Sequence, residues 1–381
     1  MSKAPAKNDQ RKKNTVSDLC LAMDTIAPVG LAQSWDNVGL LLGDPRHSLK
    51  RTLLCIDLTT KVLREAIRLN MNAILAYHPP IFKPLNRIVA GTNDMASLVW
   101  ECARNDISIY ATHTALDAAE GGANDVLAAM CGIKHAEPLE YVDQPGQAMC
   151  KIITFVPEKA VRAISDAMFT AGAGHIGNYT HCSFSTPGRG SFFGQESTSP
   201  HVGKRGKLET VDEVRLETVA PQQKLSAIIA ALLRKHPYDE PAFDILPLQP
   251  KPVKGIVRIG ELLRSTTLKK LATKLKREVK ANCVQIVGSP TQKIDRIIVV
   301  VGAAGNLPFK TPLRKSDAII TGEIRHHDAL AFNRIGCGAI ALNHWTSERP
   351  ILTSLAKRLA EAVPGVKFRI SSVDCEPFQP I

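Results

Sequence analysis

The chain has 381 residues, enough for two or three domains with real cores, and its 48 Lys and Arg against 36 Asp and Glu give a formal charge of +12. No run is long and apolar enough to span a bilayer, and the N-terminal MSKAPAKNDQRKKN has basic residues with no apolar segment, which speaks against a secretory signal. The nine cysteines (20, 55, 102, 131, 150, 182, 283, 337 and 375) form no C-x-x-C, which speaks against a disulfide framework or the usual zinc–cysteine site and for reduced thiols in a cytoplasm.

Residues 1–14 read as a disordered basic tail, followed by a helix over 16–26. From 51 to 117 the pattern alternates. RTLLCIDLT (51–59) is an apolar, β-branched strand, and TKVLREAIRLN (60–70) has helical spacing. AILAYHPP (73–80) is a second strand, ASLVWECARN (96–105) a second helix, and ISIYATHTALD (107–117) a third strand that runs into a polar end. Strands alternating with helices of this size predict parallel βαβ units. In YHPP the prolines must end the second strand, because proline lacks the donor a sheet needs and holds the preceding residue extended. His78 is thereby fixed at a strand's carboxyl end, the edge at which open α/β sheets bind ligands.

A different unit follows. KIITFVP (151–157) reads as a strand, 158–173 as a helix, and NYTHCSFSTPGRGSFFG (178–194) as a hairpin punctuated by Pro-Gly. EVRLETVAP (213–221) is a strand, 222–236 a helix and 242–249 a strand, giving the βαββαβ order of a ferredoxin-like domain. GAGHIGNY (172–179) is glycine-rich but follows a helix, so it is a poor phosphate loop. PLQPKPVKG (247–255) reads as the linker back.

The remainder repeats the first pattern. A helix is predicted over 265–275, and in LKKLATKLKREVK (268–280) the apolar positions Leu268, Leu271, Ala272, Leu275 and Val279 leave the lysines on an outer, solvated face. RIIVVVGAAG (296–305) matches the first strand, AIITGEIRHHD (318–328) matches AILAYHPP, and GAIALNHWTSE (338–348) matches ISIYATHTALD. The predicted fold is α/β: two related halves, 15–145 and 253–381, form one core, and 146–252 is an inserted α+β ferredoxin-like domain.

In both halves polar groups collect at strand ends: Tyr77 and His78, then His113 and Asp117; Glu323 and His327, then His344 and Glu348. The pairs His113/Asp117 and His344/Glu348 are spaced by four, so each shares one face if helix begins there. Imidazoles clustered with carboxylates suit Zn, Mn, Fe, Co or Ni, and a bridging carboxylate would hold two such ions. The bland alternative is an unmetallated polar cleft. His113 either ligates or orients a ligand, and Glu323 and His327 are candidates for proton transfer or substrate contact. His47, His135, His175, His181, His201, His236 and His326 lack a spaced partner at a strand end; His175 and His236 fit the surface of the insertion. Nucleic-acid binding rests on charge alone.

SWDNVGLLLGD (34–44), AYHPPIF (76–82), THTALDAAEGGAND (112–125), TGEIRHHDAL (321–330) and NHWTSER (343–349) together resemble the NIF-three-like family of dinuclear-metal proteins, many described as GTP cyclohydrolase 1 type 2 homologues. GAGHIGNYTHCSF (172–184) and HPYDEPAFDI (236–245) resemble the insertion of its longer members. The resemblance implies two divalent ions per subunit, with ligands at Tyr77, His78, Asp117, His344 and Glu348. It also implies a toroidal homohexamer and either hydrolysis of GTP, a related nucleotide or another phosphorylated molecule, or a regulatory or scaffold role through a protein partner. Tyr77 departs from the family pattern, which has a second histidine beside His78. A phenol, with an ordinary pKa of about 10, is the poorer ligand.

Overall fold

The computed structural model describes residues 13–139, 149–177, 179–248 and 255–379. Most of the expected tail and most of the expected linker lie outside these residues. The chain divides into two compact units, one made of Met1–Asp143 and Pro252–Ile381, the other of Gln144–Lys251.

The discontinuous unit holds two mixed sheets. In the first, strands Arg51–Cys55, Ala73–Ala76 and Ser108–Ala111 run parallel, with Gly39–Leu42 antiparallel on the outer side of the third. In the second, Lys293–Ala303, Asp317–Glu323 and Gly338–Ala341 run parallel, with Gln285–Val287 antiparallel in the same place. The repeat predicted from sequence is therefore present in the topology. Strands 73–76, 108–111 and 338–341 are buried throughout, so they read as continuous apolar runs.

The expected strands end sooner than their apolar patterns. Thr59 does not continue strand 51–55 but caps helix Thr60–Arg68, its hydroxyl accepting from Val62 N at 3.3 Å. Likewise 113–118 and 344–348 are short helices, not strand ends, and the second amphipathic helix is Leu268–Glu278, three residues later than expected.

Each half lends a strand to the other's sheet. Lys367–Ile370 pairs in parallel with Arg51–Leu54, and Glu137–Pro138 pairs with Ile259 and Arg258. One apolar cluster spans both halves, joining Leu54, Leu75 and Leu116 to Val299, Ile320 and Leu342. The halves therefore share a core and present their strand ends to one another.

The inserted unit is ferredoxin-like. Its strands Ser183–Phe193, Leu208–Pro221, Met149–Val156 and Phe243–Leu248 lie in that spatial order, all antiparallel, with helices Val161–Thr170 and Leu225–Lys235. The hairpin differs from the sequence expectation. Pro187 and Gly188 are not a turn but sit inside one long strand, opposite Val214 and Glu213, and the reversal falls between Phe193 and Leu208. Proline is tolerated there because this is an edge strand. His236 is also not a surface residue. It is buried, its Nε2 bonds the Phe155 carbonyl at 3.1 Å, and its Nδ1 accepts from Tyr238 N at 3.1 Å.

Candidate metal centre

The sheet ladders set the positions of the polar residues. Beyond the formal strand 73–76, Tyr77 N donates to Cys55 O and His78 N to Ile56 O, so pairing runs on to His78 before the prolines stop it. His113 N then donates to the Tyr77 carbonyl, and Asn343 N to the Gly322 carbonyl in the second half. These bonds correct the repeat by one residue. Ser108, not Ile107, is the equivalent of Gly338, because both face the first residue of the middle strand, Ala73 and Ala318. His113 is therefore equivalent to Asn343, and both take positive φ, +29° and +72°, at the turn from strand to helix. His344 and Glu348 stand one position further along their helix than His113 and Asp117.

That offset makes the site asymmetric. In the same register Asp57 corresponds to Gly302 and Tyr77 to Gly322. The first half has side chains at these positions; the second has none. A Cβ on Gly302, whose φ is +63°, would come within 2.6 Å of Glu348 Oε1, and one on Gly322 within 2.8 Å of the His344 Cα. The two glycines make room for the imidazole and the carboxylate on helix His344–Glu348.

His78, His344 and Glu348 converge, with one ligand atom from each lying within 4.8 Å of the others. His344 Nε2 lies 3.2 Å from Glu348 Oε1, and His78 Nε2 lies 3.3 Å from Oε2. The outer nitrogens are held by carboxylates: His78 Nδ1 by Asp57 at 2.9 Å, His344 Nδ1 by Glu323 at 3.2 Å. This leaves the Nε2 atoms turned inward, the arrangement in which a second carboxylate fixes a ligating imidazole. Glu348 is 3 % exposed, and its Oε2, 3.3 Å from His78 Nε2, makes no aligned hydrogen bond, which leaves a lone pair of this buried carboxylate open to a cation. Two imidazoles and a carboxylate are donors suited to a borderline divalent ion, so the residues fit one.

The charges agree. Burial works to lower the His78 pKa, but the Asp57 hydrogen bond and the close Glu348 carboxylate outweigh it and raise it to about 10. The His344 pKa is raised by the Glu348 hydrogen bond against burial. Burial works to raise the Glu348 pKa, yet His344 and His78 hold it below the ordinary value. Asp117 is pushed up to about 7 by burial and by the nearby charge of Glu348.

Tyr77 and Asp117 stand beside this cluster. The buried Tyr77 hydroxyl donates to Asp117 Oδ1. His113 packs its ring 5.2 Å from that of His78, and its Nδ1 is held by Asp36 at 2.8 Å. Asp36 also accepts from the Thr114 amide and hydroxyl. Trp35 and Phe82, 58 % and 46 % exposed, form an aromatic rim, the Trp35 ring 5.9 Å from that of His113.

Of the residues singled out from sequence, Tyr77, His78, His113, Asp117, Glu323, His344 and Glu348 lie together. His327 does not join them: it is exposed in the first turn of helix His326–Ile335, its ring against His326. The sequence reading passed over Asp57 and Asp36. Asp57 carried the same signal as His78, a polar residue just past a buried strand, while Asp36 sits in a loop with no periodicity to mark it.

Residues 14–377 match the family described as Duf34/NIF3 (NGG1p interacting factor 3). The chain is 34 % identical over 364 residues to the GTP cyclohydrolase 1 type 2 homolog of Bacillus subtilis, covering 93 % of this chain and 95 % of that one. It is 37 % identical over 303 residues to the protein of the same name from Halalkalibacterium halodurans, covering 79 % and 80 %. Among solved structures, a Bacillus cereus protein related to NIF3 matches with TM-score 0.71 and 32 % identity, covering 97 % of this chain and all of that one. Staphylococcus aureus protein SA1388 matches with TM-score 0.77 and 28 % identity, covering 97 % and 99 %.

Proposed function

Since the chain belongs to the Duf34/NIF3 family, we propose that it is a divalent-metal-dependent hydrolase acting on a nucleotide or related phosphorylated substrate. The observation that carries this reading is the convergence of His78, His344 and the buried Glu348, with one carboxylate oxygen left without an aligned partner. The names of the bacterial relatives support the substrate class. A divalent ion bound there would supply a Lewis acid and lower the pKa of a water it holds.

The chain's own residues do the rest. Asp57 and Glu323 keep the two imidazoles turned so that each offers Nε2 to the ion. Asp117, with its pKa near 7, can accept a proton from water and return it to a leaving group. Trp35 and Phe82 offer aromatic faces at the rim, where a planar base can stack. The assembly proposed with this activity is a homohexamer, which light scattering would test.

The test is turnover of a nucleotide panel headed by GTP, with Zn, Mn, Fe, Co or Ni added to the full chain. Metal-dependent turnover that is lost in Glu348→Gln and His344→Ala would support the reading. Turnover unchanged in both variants, or none with any metal, would overturn it.

One observation favours a second reading, a non-catalytic regulator. The inserted unit has a cavity of about 600 Å³ lined in part by Phe155, Phe192, Tyr238, Arg189 and Arg215. Its size suits a small molecule, and a regulator would sense one there. Metal binding without turnover, together with ligand-dependent protection of this cavity in hydrogen exchange, would favour that role.

A further inference from the structure

The resemblance implies two ions per subunit, which requires donors on two sides of the cluster. This chain presents a converging set on one side. Among the described residues, His78, His344 and Glu348 are the group of three whose ligand atoms approach one another closely enough to hold an ion. Asp117 does not belong to that group, and its Oδ1 accepts from the Tyr77 hydroxyl.

The geometry of that engagement is fixed from several directions. Tyr77 is fully buried. Its amide donates to the Cys55 carbonyl and its carbonyl accepts from the His113 amide, so the residue is locked into the sheet on both sides. Its ring packs against those of His78 at 5.3 Å and His113 at 6.0 Å, which leaves the phenol little room to turn away. Asp117 is anchored too: its carbonyl accepts from Asn124 Nδ2 at 3.1 Å, and Asn124 Oδ1 in turn accepts from Val301 N at 2.9 Å. An ion placed on Asp117 Oδ1 would displace the Tyr77 bond and leave a buried phenolic donor unpartnered. His113, its Nδ1 held by Asp36, lies outside the converging group of three.

We propose that this chain holds one divalent ion per subunit, on His78, His344 and Glu348, and that the Tyr77–Asp117 hydrogen bond occupies the place a second ion would take. Tyr77 is then a positioning residue that fills half of a dinuclear site. The inference rests on the reading of this cluster as a metal site.

The experiment is metal stoichiometry. Full-length, untagged protein is stripped with a chelator and reloaded separately with Zn²⁺ and Mn²⁺. Ions per chain are counted by elemental analysis after gel filtration, and again by calorimetric titration. The expected counts are one for the wild type, one for Asp117→Asn, and two for Tyr77→His, which supplies an acceptor nitrogen and releases Asp117. Two ions in the wild type would overturn the proposal while leaving the metal-site reading intact. A folded Tyr77→His that still takes one ion would also overturn it. Should Tyr77→His fail to fold, Asp117→Asn decides: loss of an ion in that variant makes Asp117 a ligand and sinks the proposal. No ion in the wild type with either metal would remove the underlying metal-site reading itself.

Discussion

Asp374 accepts the indole N–H of Trp345 at 3.0 Å, which ties the C-terminal segment to the helix that carries His344 and Glu348. The same carboxylate accepts from Arg349 Nη1 at 2.6 Å and from the Ile56 amide at 2.8 Å. Ile56 directly precedes Asp57, the residue that holds His78. One buried carboxylate therefore joins the segment that leads into Asp57 to the helix that carries His344 and Glu348. Replacing it with Asn puts an N–H₂ among donors. Asp374→Asn is expected to weaken divalent-metal affinity about tenfold, as loss of groups behind metal ligands does, and to cost about 2 kcal/mol of stability. Calorimetric metal titration beside urea denaturation checks both, and unchanged affinity would show that Asp374 serves stability alone.

Metal affinity should rise with pH. Without an ion the His78 pKa stands at about 10, so at pH 7 the ring carries a proton that a ligating imidazole must lose. Ion binding then releases a proton at neutral pH, and affinity increases as pH climbs towards that value. Calorimetry in buffers of different ionisation enthalpy counts the protons released. Near-zero release at pH 7 would mean that His78 is already neutral in the ion-free protein.

Gly302→Ala tests the room left by the second half. The new Cβ would press on Glu348 Oε1 and would sit on a backbone of φ +63°. A stability loss of about 1–2 kcal/mol is expected from the backbone alone, with further loss of metal affinity as Glu348 is displaced. Gly305→Ala, also at positive φ (+53°) but with open space around its Cβ, is the control. It should share the backbone cost and keep the affinity.

Glu65 gives a pH-dependent stability prediction away from the site. Its carboxylate accepts from the hydroxyls of Ser371 at 2.5 Å and Ser372 at 2.7 Å, and from the Ser372 amide. Burial works to raise its pKa, but these bonds hold it below the ordinary value of 4.5. A depressed carboxylate stabilises the fold above its unfolded pKa and loses that contribution as pH falls through the folded one. Glu65→Gln should therefore cost about 1–2 kcal/mol at pH 7 and progressively less below pH 4.5, in urea melts across that range. An equal loss at pH 7 and pH 3 would show that the charge contributes nothing.

Much of the fold was legible because its signals are local. Alternating apolar runs marked the βαβ units, prolines marked the stop at His78, and the order of elements marked the ferredoxin-like insertion. The exchange of strands 137–138 and 367–370 between the sheets left no such mark, since pairing partners far apart in sequence carry no periodicity in common. Pro187-Gly188 misled for a related reason: whether Pro-Gly turns the chain or lies in an edge strand depends on what pairs beside it.

The candidate site divides in the same way. The sequence by itself determined which residue types gather at the strand ends, because strand ends follow from apolar runs and breakers in one stretch of chain. Tertiary structure alone decided what those residues do to one another. The shift that sets His113 against Asn343, the two glycines that admit Glu348, the capture of Asp117 by Tyr77 and the support from Asp57 and Asp374 all arise where separate segments meet. Hydrogen-bond geometry and close packing between distant segments are properties of the assembled core, and no single segment encodes them.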